Sequence, residues 1–386
     1  MTNPDKFIPF ALPDIGEEEI AAATASMRSG WLTTGPSAAA FETEFAEFLG
    51  GGVTAVSVNS ATAGLHLALE GLGIGPGDEV IVPTWTFTST AEVVRYLGAH
   101  PVIVDVDPVT LNINLDAARR AITERTKAIM PVHFAGLGVD RSGIQSLAQA
   151  HDLRVVEDAA HSLPTLNAGA LVGTGASDAV VFSFYATKTI TTGEGGMVVT
   201  ADPELARRVS TMRLHGISRN VFDRYRSTVP SWRYEVVAPG YKYNLTDPAA
   251  AMGRVQLRRA QAMCDARAAV AARYDRAFAD LPLELPAHAP PGDTHAWHLY
   301  VIRTTPESPC DRDGIIKGLS EAGIGSSVHF IPLHMHPYWS ETYNLSDADL
   351  PVATEQFARV VSLPIFSSMT RAQVDRVIES IRSLLT

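Results

Sequence analysis

The residues best able to do chemistry lie in the stretch FSFYATKTITTGEGG, Phe182 to Gly196. Lys188 stands there between an apolar run and a cluster of hydroxyls and glycines. Ser183 precedes it, Thr187, Thr189, Thr191 and Thr192 surround it, and Gly193, Gly195 and Gly196 follow. An apolar run leading into such a loop reads as a strand end, where open α/β sheets bind ligands. A lysine held there is partly desolvated. Its neutral, nucleophilic amine is then more available and suits Schiff-base formation with an aldehyde. Most lysines instead keep their charge in water, so the residue alone decides nothing.

Two further stretches join it. VVEDAAHS, Val155 to Ser162, ends another apolar run on Glu157, Asp158 and His161. A carboxylate at a strand end needs a partner. Asp158 could cap a helix, or hold the protonated ring nitrogen of a cofactor such as pyridoxal phosphate. VNSATAGLH, Val58 to His66, passes from a strand through Ser60 and Thr62 into a helix. The free amides of a helix start make an anion site, although an ordinary capped start reads the same way. GLGIGPGDE carries neither the Walker lysine nor the dinucleotide spacing and reads as a turn.

The elements that position these residues follow an α/β rhythm. Strands are expected at Val53–Val58, Glu79–Val82, Val102–Val106, Ala128–Val132, Leu153–Val156, Val180–Phe184 and Met197–Val199. Helices are expected at Thr62–Leu69, Thr90–Leu97, Leu115–Ile122 and Ile144–Ala150. Near-continuous apolar strands such as VVFSF indicate a largely parallel sheet covered on both faces. The rhythm changes after about residue 205. Leu245–Arg273 reads as one long helix or two in series, followed by the proline-rich LPLELPAHAPPGD. Then come a strand at Trp297–Arg303, a helix at Asp313–Ala322, a strand at Gly325–Phe330 and a closing helix at Arg371–Leu385.

The chain has 386 residues, 46% of them apolar, which is ample for one or two packed domains. With 31 Lys and Arg against 42 Asp and Glu its formal charge is -11, which argues against nucleic acid as a partner. Cys264 and Cys310 are far apart and give no disulfide framework. The first twenty residues do not read as a secretory signal, and no apolar run has the length of a membrane span. A cytoplasmic protein with no metal is expected. His334 and His336 in PLHMHP have no carboxylate or cysteine nearby in the sequence to complete a metal set.

Beyond the three stretches, the motifs GWLTTGP, GDEVIVPTWTFTST, PVHFAG, GYKYNLTD and HAWHLY follow in order through nearly the whole chain. Together they resemble the DegT/DnrJ/EryC1/StrS family of pyridoxal-phosphate-dependent nucleotide-sugar aminotransferases. The resemblance implies the fold type I, aspartate-aminotransferase-like architecture: a large domain with a mixed, mostly parallel seven-stranded sheet, residues 1–250, and a smaller C-terminal α/β domain, residues 251–386. By the same resemblance Lys188 is the Schiff-base lysine, Asp158 the partner of the ring nitrogen, and His161 a neighbour of the phenolic oxygen. Phe87 stacks on the ring. Thr62, Ala63 and Ser183 hold the phosphate, and Asn244 reaches it from the second subunit of a homodimer with composite sites. Candidate substrate contacts are Trp31, His329, Arg224, Arg226 and Tyr243.

The implied reaction moves the amino group of L-glutamate to an NDP-4-keto-6-deoxyhexose or a related 4-keto sugar. The motifs resemble most the branch that includes the 4-amino-4-deoxy-L-arabinose enzymes. Amination at the 3-position, another reaction of the same fold, and a non-catalytic regulatory protein are the alternatives. Histidine replaces the lysine in the dehydratase-like relatives, so Lys188 favours transamination.

Overall fold

The computed structural model describes residues 7–217 and 234–386. Two helices, α1 (Glu17–Arg28) and α2 (Pro36–Phe48), precede the first strand. The large sheet is built from β1 (Thr54–Val58), β2 (Glu79–Pro83), β3 (His100–Val104), β4 (Thr126–Ile129), β5 (Arg154–Asp158), β8 (Ala179–Ser183) and β9 (Gly196–Thr200). A short hairpin, β6 (Leu166–Asn167) and β7 (Ala170–Leu171), interrupts it. The strand order is β1-β9-β8-β5-β4-β2-β3. The ladders from β8 to β3 are parallel, whereas β9 runs antiparallel to both β8 and β1.

Its strands are apolar on both faces because helices cover both. Val56, Val58, Val181 and Val198 pack toward α3 (Ala61–Gly71), α4 (Ser89–Tyr96) and α7 (Pro203–Met212). Their neighbours Ala55, Val180, Phe182, Met197 and Val199 face α2 and the first half of α8 (Asp247–Phe278). This alternation is the period-two signature of a strand sandwiched between layers. Phe41, Phe45, Phe182 and Phe184 are fully buried on the α2 side, each contributing about 1.5–3 kcal/mol by leaving water. Helices α5 (Leu115–Ala121) and α6 (Arg141–His151) close the β3–β4–β5 end, their starts capped by Asn114 and Asp140.

The single 32-residue helix α8 contains the expected boundary at residue 250 in its first turn. Its second half, with Tyr274 and Phe278, belongs to another core. That core lies on an antiparallel sheet of β10 (Leu283–Glu284), β11 (Tyr300–Thr304) and β12 (Val360–Leu363). Helices α9 (Arg312–Glu321) and α12 (Arg371–Leu385) pack on it. Helices α10 (Pro337–Tyr343) and α11 (Pro351–Phe357) lie between α9 and β12 in sequence.

The strand expected at Gly325–Phe330 is not formed. Gly325 is tied to Ile8 and Ser327 makes one bridge with Ser362. The chain then turns inward, and His329 and Phe330 line a cavity. The strand β12, which pairs with β11, was missed by the sequence reading. Among the described residues no helix is long and apolar enough to cross a membrane.

Candidate active site

A cavity of about 550 Å³ opens where β5, β8 and the start of α3 converge. The parallel register sets Asp158 opposite Val181, so β5 and β8 end side by side. Asp158 and Ser183, at those two ends, line the cavity, and the loop after β8 adds Lys188.

Lys188 is half-buried and stands on the cavity wall. Burial brings its ammonium down to about 8. Asp158 works against that shift and the Arg267 guanidinium assists it. Arg267 itself lies buried on α8 with its Nη1 on the carbonyls of Trp297, His298 and Ile365. Burial pushes the Asp158 carboxyl above its ordinary value, while hydrogen bonds from Thr90 and Ala160 and the Lys188 charge pull it back.

His161 is packed between aromatic rings. Its ring lies 4.2 Å from His298 and is stacked on Phe330 at 5.8 Å. Burial holds its imidazole well below the usual range, and the charges of Lys188 and His329 add to this. Its Nδ1 is buried with no hydrogen-bond partner among the described residues. His329, also on the wall, is lowered to about 4 by burial and then by Lys188.

At the other end of the cavity α3 begins. Its cap, Ser60, accepts from the Ala63 amide at 3.1 Å, and the Gly64 amide bonds the Ser60 carbonyl. Helix geometry leaves the first amides, of Ala61 and Thr62, without intrahelical partners. Both residues line the cavity. The approach is possible because Gly196 lies directly beneath: a Cβ there would come within 2.8 Å of the Ala61 nitrogen and the Ser60 carbonyl carbon.

The expected site residues therefore divide. Thr62, Phe87, Asp158, His161, Ser183, Lys188 and His329 are brought together on one wall. Ala63 lies just behind, its amide taken by Ser60. Trp31 packs over Gly35, Tyr243 bonds His66 and stacks on Tyr241, and Asn244 bonds Thr34 and Lys242. None of these four lines this cavity. Arg224 and Arg226 lie outside the described residues. The sequence reading overlooked Thr86, Thr90, His298 and Phe330. The four-residue spacing of the two threonines in PTWTFTST and the second histidine of HAWHLY were the available signals.

A model of the DegT/DnrJ/EryC1/StrS aminotransferase family matches residues 13–382. The chain belongs to that family. It is 46% identical over 381 residues to the spore coat polysaccharide biosynthesis protein SpsC of Bacillus subtilis, covering 98% of this chain and 97% of SpsC. Among solved structures it superposes on Helicobacter pylori PseC, an aminotransferase involved in the biosynthesis of pseudoaminic acid, with a TM-score of 0.89. The identity is 31%, over 98% of this chain and 99% of that one. DesV of S. venezuelae gives a TM-score of 0.85 at 36% identity, covering 95% and 94% of the two chains.

Family members are pyridoxal-phosphate-dependent sugar aminotransferases, and this is the activity class and cofactor of the chain. The cavity fits the cofactor. It combines a depressed amine, a buried carboxylate, an unpartnered imidazole nitrogen and a helix start with free amides over a glycine. Phe87 supplies an aromatic wall.

Proposed function

We propose that the chain transfers the amino group of L-glutamate to a nucleotide-linked 4-keto sugar, giving the 4-amino sugar. The observation that carries the reading is the shared cavity of Lys188 and Asp158. When bound, pyridoxal 5'-phosphate supplies the electron sink and the temporary store of the amino group. Lys188 would hold it through its aldehyde. Once released, the same amine, whose pKa of about 8 leaves both its protonated and neutral forms populated near that pH, would move a proton to and from the substrate carbon. Asp158 would keep the ring nitrogen protonated, and neutral His161 would lie beside the ring. The α3 start with Thr62 and Ser183 would take the phosphate. The names of SpsC, for polysaccharide biosynthesis, and of PseC, for pseudoaminic acid, support a sugar acceptor.

The same reading includes a homodimer. Glutamate and a sugar diphosphate bring several negative charges, yet Lys188 is the one lysine or arginine on the described cavity wall. Phe87 and Tyr185 at the wall are 59% and 47% exposed, so the described chain leaves this side of the site uncovered. A second protomer would cover it and contribute Asn244. Arg224, Arg226, Trp31 and Tyr243 are the proposed sources of further substrate contacts, and the two sheets are proposed to mark the large and small domains.

The test is spectroscopic. Glutamate added to the holoenzyme should convert the bound cofactor stoichiometrically to its amine form. One member of a panel of keto nucleotide sugars should then restore the starting spectrum, and NMR of the product gives the position of the new amine. Failure of glutamate to change the spectrum removes the proposed donor, and a 3-amino product removes the proposed position.

A further inference from the structure

Thr90 is fully buried in the first turn of α4, and its Oγ1 donates to Asp158 Oδ2 at 2.8 Å. A second hydroxyl, Thr86 Oγ1, lies 2.7 Å from Thr90 Oγ1. A threonine hydroxyl carries one proton. Because Thr90 spends its proton on Asp158, Thr86 must donate to Thr90, and the chain of hydrogen bonds runs in one direction. Thr86 stands on the cavity wall, so the chain starts beside the cavity and ends on the carboxylate. The other carboxylate oxygen, Oδ1, accepts from the Ala160 amide at 3.1 Å. The main chain of Asp158 is pinned as well, through Pro131 and His133. Each carboxylate oxygen therefore has one protein donor and keeps acceptor capacity for a ligand. Threonine is suited to the post, since its β-branch limits χ1 and holds the hydroxyl in place.

We propose that Thr90 is a positioning residue of the amino-transfer reaction: the directed chain Thr86 to Thr90 to Asp158 fixes the carboxylate in its cavity-facing orientation and keeps the shared proton on the ring nitrogen. The proposal rests on the reading of Asp158 as partner of that nitrogen. Donors on a carboxylate disperse its charge and weaken its hold on a proton. Without Thr90 the carboxylate competes better for the ring proton, and the electron sink weakens.

The experiment compares Thr90→Val, Thr90→Ser and Asp158→Asn holoenzymes loaded with nitrogen-15-labelled pyridoxal phosphate. NMR reads protonation of the ring nitrogen, kinetics give kcat and KM, and thermal melts report folding. In Thr90→Val the nitrogen signal should move toward the unprotonated position. Its kcat should fall about tenfold, with KM for the sugar within about twofold. Thr90→Ser should restore the nitrogen signal and kcat. A parent-like nitrogen signal in Thr90→Val, with a changed one in Asp158→Asn, overturns the proposal and leaves the reading of Asp158 intact. A parent-like signal in Asp158→Asn overturns both. Equal impairment of the Ser and Val variants, one keeping the hydroxyl and the other the methyl group, means that the hydroxyl alone does not carry the effect, and also overturns it. Should Thr90→Val fail to fold, Thr86→Val should shift the nitrogen signal less but in the same direction, and no shift there counts against the chain.

Discussion

Asp158 ends β5 one strand away from β8, whose loop carries Lys188, and the two side chains open into one cavity. The carboxylate supports the ammonium while burial opposes it, which leaves the amine at about 8. The neutral form reacts with an aldehyde, and its fraction grows as pH rises through the amine's pKa. The rate at which added pyridoxal phosphate binds covalently to cofactor-free protein should therefore climb with a midpoint of about pH 8. An exposed lysine would place it at about 10.4. Asp158→Asn removes the supporting charge and should lower the midpoint. Arg267→Met removes an opposing charge and should raise it. A midpoint common to all three proteins would show that neither charge acts on Lys188.

Loss of the amine itself should be far more severe. Lys188→Ala would remove both the proposed covalent anchor and the proposed proton carrier, and kcat should fall by about 10²–10⁴-fold or more. Fold and melting behaviour should hardly change, because the side chain lies on a cavity wall and not in a packed core. Turnover close to that of the parent would remove Lys188 from the mechanism.

Much of this was legible in the sequence because chemistry and backbone signals coincided there. Lys188 and Ser60 each follow a strand with an apolar run and Asp158 ends one, so a strand end and a reactive group were visible in the same few residues. Strands of the large sheet were located to within a few residues because both faces are buried and their apolar runs are unbroken. Legibility failed where tertiary contacts decide. Val360–Leu363 is only four residues long and stands a few residues after α11, and its pairing with β11 is what makes it a strand. Gly325–Phe330 had the composition of a strand and was diverted into the cavity wall. For Thr90 and His298 the sequence offered only weak signals, a threonine spacing and a second histidine, since their roles come from partners distant in sequence.

Gly196 makes the cofactor end of the cavity possible, and its replacement gives a local test. In Gly196→Ala the new Cβ meets main-chain atoms of Ser60 and Ala61 that cannot swing aside, so the start of α3 must move. Such overpacking costs about 1–3 kcal/mol. Equilibrium titration should show pyridoxal phosphate binding weakened about tenfold, and inorganic phosphate should no longer protect the cofactor-free protein against heat. Gly75→Ala is the control, because a Cβ there has open space and no positive φ to strain it. Equal behaviour of the two variants would mean that α3 does not hold the phosphate.

The proposed homodimer has its own test, independent of any spectrum. Lys188→Ala and Asn244→Ala should each be impaired when pure. If Asn244 serves the neighbouring site, a mixed dimer places both lesions in one site and leaves the other intact. Unfolding the two variants together and refolding them should then restore activity above that of either alone. Activity no higher than the average of the two would confine Asn244 to its own protomer, where its side chain bonds Thr34 and Lys242.

The residue next to Asp158 bears on stability. Glu157 is buried and accepts from His133 Nε2 at 2.8 Å, while Val139 donates to His133 Nδ1 at 3.2 Å. The Val139 amide occupies Nδ1 as an acceptor, so the ring proton sits on Nε2 and points at the carboxylate. Burial works against the Glu157 carboxylate, but His133, Ser177 and Arg141 overcome it and hold its pKa below the ordinary value. A carboxyl lowered by folding stabilises the fold above its unfolded pKa of about 4.3, and that contribution is lost as pH falls through the folded value. Urea denaturation at neutral pH should find His133→Ala destabilised by about 1.5–3 kcal/mol, because it removes a hydrogen bond from a buried carboxylate. Glu157→Gln should lose the part of the acid dependence that this carboxyl contributes. A His133→Ala protein as stable as the parent would mean that Ser177 and Arg141 suffice to hold Glu157, and that the imidazole is dispensable beside the site.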